Sequence, residues 1–231
     1  MEMASRCIEQ VDHLSMRQLT PSQPDEHRGD VLMLGNAYGI MDYQLPLAEA
    51  LAERGFRTWW FPFSGQEDTP GNYSIPSGAK DVATAVAHLD SESDGPIFLV
   101  AHCAGSLMAI EYLKATPDSP IKKMAVYGLL FNPARRRSQA EPRLEKHGVR
   151  TALTDEMWNY NPLSALAKIQ TPVLFCHATD PLNRARATDE EMERAVETAP
   201  QADISWFDGG YDNDQSVIPE YANRYCSWFI S

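Results

Sequence analysis

The stretch Ile97-Phe98-Leu99-Val100-Ala101-His102-Cys103-Ala104-Gly105-Ser106 decides the fold. It opens with five apolar residues in a row. An apolar run without alternation suits a strand covered on both faces. Beyond Ser106 the apolar residues change spacing, to Leu107, Ile110 and Leu113, which predicts a helix. A strand that runs straight into a helix must turn sharply, and the turn crowds its own neighbours. Small residues stand where the crowding falls, Ala101 two before Cys103 and Gly105 two after it. Cys103 is thereby placed at the tip of the turn, at the top of the sheet, beside the first N–H groups of the helix. Helix N-termini favour a thiolate over a thiol. Cys103 is the candidate nucleophile; the competing reading is an inert buried thiol.

Working outward, apolar β-rich runs alternate with helical patterns. Strands are predicted at 30–34, 58–61, 97–101, 124–131, 172–176 and 203–207. Asp42 offers an N-cap to a helix carrying Leu45, Ala48, Leu51 and Ala52, which Gly55 closes. Val82, Val86 and Leu89 mark a second helix after a Gly/Pro/Ser-rich loop, 62–78. Thr188 and Glu191 form a capping box before a helix over 189–198, and the last helix, 217–230, carries Tyr221, Tyr225 and Phe229 on one face. Right-handed crossovers between such strands give an α/β fold, a three-layer sandwich around a mostly parallel sheet. Functional groups in these sheets lie beyond the carboxyl ends of the strands.

Ala101-His102-Cys103-Ala104-Gly105 resembles the nucleophile elbow G-x-S-x-G of the α/β-hydrolase family, with Ala for the first Gly and Cys for Ser. The resemblance covers roughly 31–229. Leu34-Gly35-Asn36-Ala37 falls where the family places its oxyanion loop, and His177-Ala178-Thr179-Asp180 where its acid follows the penultimate strand. The resemblance implies an α/β-hydrolase fold as a single domain over 1–231, with a small helical lid at 134–170. It also implies an oxyanion hole of backbone N–H groups from Ala104 and from Asn36 or Ala37, and Asp180 as the acid. Tyr38, Met41 and Trp158 are candidates to line an acyl pocket. His102 is expected to pack within the elbow or to border the substrate.

The family's histidine is missing. Its slot falls at Tyr211, and no histidine follows His177 anywhere in the chain. A serine without a base would be nearly inert, whereas an ordinary thiol is a few per cent thiolate at about pH 7. Loss of the base and replacement of Ser by Cys are therefore consistent with each other. Three groups could stand in: Tyr211, a hydrogen-bond donor with a poor pKa for a base; His177, at the end of a strand; and His147, supplied by a lid.

Composition sets the bounds. The chain has 231 residues, enough for one α/β domain. No run reaches 18 apolar residues and the N-terminus lacks a secretory apolar region, so a cytoplasmic protein without a membrane span is expected. Cys7, Cys103, Cys176 and Cys226 show neither zinc nor disulfide spacing, and no metal or organic cofactor is implied. A net charge of −12 argues against nucleic-acid binding. The charge is uneven, however. Between Ala134 and Arg150, six basic residues (Arg135, Arg136, Arg137, Arg143, Lys146, Arg150) face two acidic ones (Glu141, Glu145). Arginine forks bind phosphate well, which suits the phosphopantetheine of an acyl carrier protein or coenzyme A.

Two kinds of function follow. One is an acyl-transfer enzyme (thioesterase, acyltransferase or cyclase) working through an acyl-cysteine on Cys103, on a small-molecule or carrier-bound acyl group. The other is a pseudo-hydrolase kept as a binding module. A lyase or isomerase on the same scaffold is a further alternative.

Overall fold

A computed structural model describes residues 6–21, 27–39, 44–151, 155–210 and 214–231. Its eight strands form one sheet: β1 (Arg6–Val11), β2 (Leu14–Leu19), β3 (Asp30–Leu34), β4 (Arg57–Trp60), β5 (Ile97–His102), β6 (Ile121–Tyr127), β7 (Val173–Ala178) and β8 (Ala202–Phe207). The order across the sheet is β1-β2-β4-β3-β5-β6-β7-β8. β1 and β2 pair antiparallel with each other, β2 pairs antiparallel with β4, and every other pairing is parallel.

The helices are α1 (Gln44–Ala52), α2 (Ile75–Glu92), α3 (Ala104–Ala115), α4 (Arg137–Lys146), α5 (Asp155–Trp158), α6 (Leu163–Leu166), α7 (Pro181–Arg184), α8 (Asp189–Thr198) and α9 (Ile218–Ile230). Successive strand residues face opposite sides, and both sides are apolar. Leu32, Leu99, Val126 and Phe175 pack in the core that holds α2 and α3. Val31, Val100, Ala125 and Leu174 pack with α1 and α9 on the other side. Full burial of each such side chain contributes about 1.5–3 kcal/mol.

The structure departs from the sequence expectation in three places. Among the described residues it has eight strands rather than six, the hairpin β1–β2 adding two. Asp12, at its turn, sits at φ 53°. The strand expected over 124–131 runs instead from Ile121 to Tyr127, and Gly128 at φ 59° ends it. α2 starts at Ile75, inside the expected loop, where Ser74 and Ser77 form a capping box. Asp42 and Met41 lie outside the described residues.

Candidate active site

Register brings the site together. β3 and β5 are parallel neighbours with Leu34 opposite Ala101, and β5 and β6 pair His102 with Tyr127. The segments after β3, β5 and β6 therefore leave the sheet side by side. Cys103 makes the turn between β5 and α3 at φ 53° and ψ −118°, a backbone conformation that costs a non-glycine residue about 1–3 kcal/mol. Three bonds hold it there: the Cys103 N–H donates to the Tyr127 carbonyl (3.2 Å), and the Ser106 N–H (3.1 Å) and hydroxyl both donate to the Cys103 carbonyl. Gly105 faces the loop after β3 so closely that a Cβ would lie 2.3 Å from the Gly35 carbonyl oxygen.

That loop is shaped by Asn36. Its side-chain oxygen accepts from the Tyr38 N–H (2.8 Å), and its carbonyl accepts from Gln66 Nε2 (3.0 Å). Asn36 thus spends its acceptors on the loop, while Ala37 and Ala104 both border the space beside Cys103.

The space is a cavity of about 380 Å³. Cys103, Ala104, Asn36, Ala37, Tyr38 and Trp158 line it, so the structure brings these six expected residues together. From the basic segment it brings Arg136, Arg143, Lys146 and the candidate stand-in His147, and it adds Arg186 and an apolar wall including Leu130, Leu144 and Met157. Most come from the segment between β6 and β7. Arg136, Ala140, Arg143, Leu144 and His147 recur at helical spacing, so one face of α4 and its flanks points inward. That spacing was legible in the sequence. Arg186, reaching in from beyond α7, had no sequence signal.

Tyr38 joins the two halves. Its ring lies 5.5 Å from that of His147, and the positive charges of Arg143 and Arg136 act on its hydroxyl. Burial pushes the Tyr38 phenol up, negative charge at Cys103 pushes it further, and Arg143 and Arg136 pull the other way. Tyr73 is fully buried nearby, and its hydroxyl finds no partner among the described residues.

Among the described residues, His102, His177 and Asp180 are not on the cavity wall. His102 is fully buried and stacks on Tyr127 (5.0 Å between ring centroids). Burial, then the charge of Arg186, holds its imidazole well below the ordinary range, so it is a neutral packing group. His177 points toward α8, with Nε2 3.2 Å from Asp189 Oδ1 and its ring against Trp206. Burial lowers its pKa too. Asp180 caps α7: its Oδ1 accepts from the N–H groups of Leu182 (2.9 Å) and Asn183 (3.3 Å), and Oδ2 from Asn183 Nδ2 (2.6 Å). Tyr211 lies outside the described residues. Arg135 and Arg137 turn outward, Arg135 forked onto Glu191 and Arg137 bonded to Glu141 and Asp155.

The same architecture recurs in solved structures. An esterase from Exiguobacterium antarcticum superposes with a TM-score of 0.72 at 14% identity, over 99% of this chain and 100% of its own. A soluble variant of a monoglyceride lipase from Saccharomyces cerevisiae gives 0.73 at 15%, over 99% and 96%. The chain has the α/β-hydrolase fold. A thioesterase domain from the curacin biosynthetic pathway gives 0.64 at 16%, over 99% of each chain. No protein-family model matches the sequence, and no curated protein matches it either. Within this fold Cys103 occupies the turn between β5 and α3.

Proposed function

We propose that the protein is an acyl-transfer enzyme whose nucleophile is the Cys103 thiol. One observation carries this reading. Cys103 holds a strained backbone at the elbow and opens onto a cavity bordered by Ala104, at the start of α3, and Ala37. A strained residue at such a place is commonly kept for the geometry of its side chain.

The thiolate sulfur attacks the carbonyl carbon of an ester or thioester. A carbon–sulfur bond forms, and the carbonyl electron pair moves onto oxygen, where the Ala104 and Ala37 N–H groups stabilise it. Collapse of this intermediate restores the carbonyl and expels the alcohol or thiol, which takes up a proton. Water or a second nucleophile then attacks the acyl-cysteine and regenerates the thiol. The product is that of a thioesterase, acyltransferase or cyclase according to the acceptor. The segment 134–170 serves as a lid, and coenzyme A or an acyl carrier protein is one donor that a thioester reading admits.

The proton traffic needs a group in the cavity. Among the described lining residues, His147 is the one histidine, and we assign it the role of proton acceptor and donor in place of the family histidine. Asp180, occupied as a helix cap, steadies the loop that carries Arg186. Tyr211, in the family's histidine slot, is the other candidate hydrogen-bond donor.

Incubating the protein with acyl thioesters and an activated ester, and reading intact mass, tests the proposal. One acyl group should appear on wild type and vanish in Cys103→Ala. An unmodified Cys103 would overturn it and favour the binding-module reading. Asp180's commitment to α7 and the lack of any histidine beyond His177 are the observations on that side.

A further inference from the structure

The cavity at Cys103 is cationic in a chain whose formal net charge is −12. Arg136, Arg143, Lys146 and Arg186 line it, and no Asp or Glu occurs among its described lining residues. The neighbouring arginines behave differently. Arg135 and Arg137 find carboxylates on the outer surface at 2.6–2.8 Å. The segment between β6 and β7 thus separates its positive charges, pairing two outside and turning others inward. Arg186 arrives from a different segment and is only 9% exposed. Its guanidinium donates to Asn183 Oδ1 at 2.8 Å, which fixes it at the cavity wall. Leu130, Leu144 and Met157 supply an apolar wall to the same space. The chemistry that fits is a short apolar chain ending in an acid.

The cations line the same space as Cys103, which bears on which part of a substrate carries that acid. In a phosphopantetheine thioester the phosphate is 13 bonds from the sulfur, about 15 Å when extended. A phosphate on that arm would lie about 15 Å from the carbonyl that Cys103 attacks, whereas an acid at the far end of a six-carbon acyl chain stays within about 7 Å of it. Resting on the acyl-transfer reading above, we propose that the acyl group accepted by Cys103 carries an acid of its own, seated among Arg136, Arg143, Lys146 and Arg186.

The experiment compares the N-acetylcysteamine thioesters of adipic acid, which ends in a carboxylate, and heptanoic acid, which ends in a methyl group. The expected result is a kcat/KM about tenfold or more higher for the adipoyl ester, with the ratio falling toward one in Arg143→Gln and in Arg186→Met. Arg143 is exposed, so its variant reports even if Arg186→Met does not fold. Equal kcat/KM for the two would overturn the proposal. So would a gain for heptanoyl-coenzyme A over the heptanoyl N-acetylcysteamine ester with none for the adipoyl ester, since the cations would then read the donor's phosphate. If no thioester acylates Cys103, the reading beneath fails on its own. Calorimetric titration of Cys103→Ala with adipate then tests the anion site directly. Saturable binding weakened about tenfold by Arg143→Gln supports it, and absence of binding overturns it.

Discussion

The imidazole of His147, at the C-terminal end of α4, lies 5.5 Å from the ring of Tyr38 in the loop after β3. This contact joins the segment between β6 and β7 to the loop that borders Cys103, and the charge of Arg143, one turn earlier on α4, acts on the Tyr38 hydroxyl. The raised phenol makes Tyr38 a neutral donor rather than a base, and under the proposed function the proton transfers fall to His147. His147→Gln should therefore allow acylation of Cys103 but slow release of the acyl group about 100-fold or more. Intact-mass measurement during turnover should show the acyl-enzyme accumulating. Unchanged turnover would remove His147 from the chemistry.

Gly105 is required by the close approach of two elements. A methyl group there would sit 2.3 Å from the Gly35 carbonyl oxygen and 2.8 Å from that of Leu34, both of them backbone atoms in or next to β3. The neighbour cannot swing aside as a side chain would. Gly105→Ala should cost about 2–4 kcal/mol of stability, the range of severe core mutations. It should also disturb the Asn36–Tyr38 loop. Urea unfolding measures the first effect, and loss of Cys103 acylation in the still-folded fraction the second. A variant as stable as wild type would mean that the loop and α3 stand further apart.

Cys103 carries the opposite kind of cost. At φ 53° and ψ −118° it holds a conformation that glycine adopts with little penalty. Cys103→Gly should be more stable than Cys103→Ala by about 1 kcal/mol, because both remove the thiol but only glycine relieves the strain. Both variants should be inactive in acylation. Thermal unfolding of the pair side by side provides the measurement, and an alanine variant equal to or above the glycine one would contradict the strain.

Much of the sheet was legible because its strands are nearly continuous apolar runs, as in IFLVA and DVLML, and the elbow was marked by the small residues flanking Cys103. The hairpin was not legible. Its turn, Asp12-His13, lacks the Asn-Gly or Asp-Gly that usually betrays a two-residue turn. The site was half legible. Ala104, Asn36, Ala37 and Tyr38 follow their strands directly, so order along the chain placed them. The cations could not be sorted from sequence, since Arg135, Arg136 and Arg137 are adjacent and identical in type. Only the path of the chain from Pro133 into α4 decides that Arg136 alone of the three borders the cavity. His177 and His102 look functional beside the motif residues, yet strand alternation sends both into packing.

The hairpin also brings a titratable contact. His13 Nε2 lies 2.8 Å from Asp81 Oδ1 on α2, and Nδ1 lies 3.1 Å from Asp12 Oδ2. Asp81 is almost wholly buried and accepts further from the N–H (2.7 Å) and hydroxyl (2.9 Å) of Ser64. Burial of His13 opposes its charge, but the bonds to Asp81 and Asp12 outweigh it, and the pKa ends above the usual 6.5. A folded-state value above the unfolded one means that folding favours the protonated ring. The stabilisation is then complete below about pH 6.5 and is lost as pH rises through the folded value. His102 and His177 act in the reverse sense, since their lowered values make acid destabilising as pH falls below about 6.5. The wild-type curve alone would mix these contributions. The difference between wild type and His13→Asn isolates the first, because His102 and His177 are common to both. That difference in unfolding free energy should be wide at pH 5.5 and narrow at pH 8.5. Urea unfolding at a series of pH values measures it, and a gap that stays constant across the series would show that His13 gains no proton affinity from Asp81.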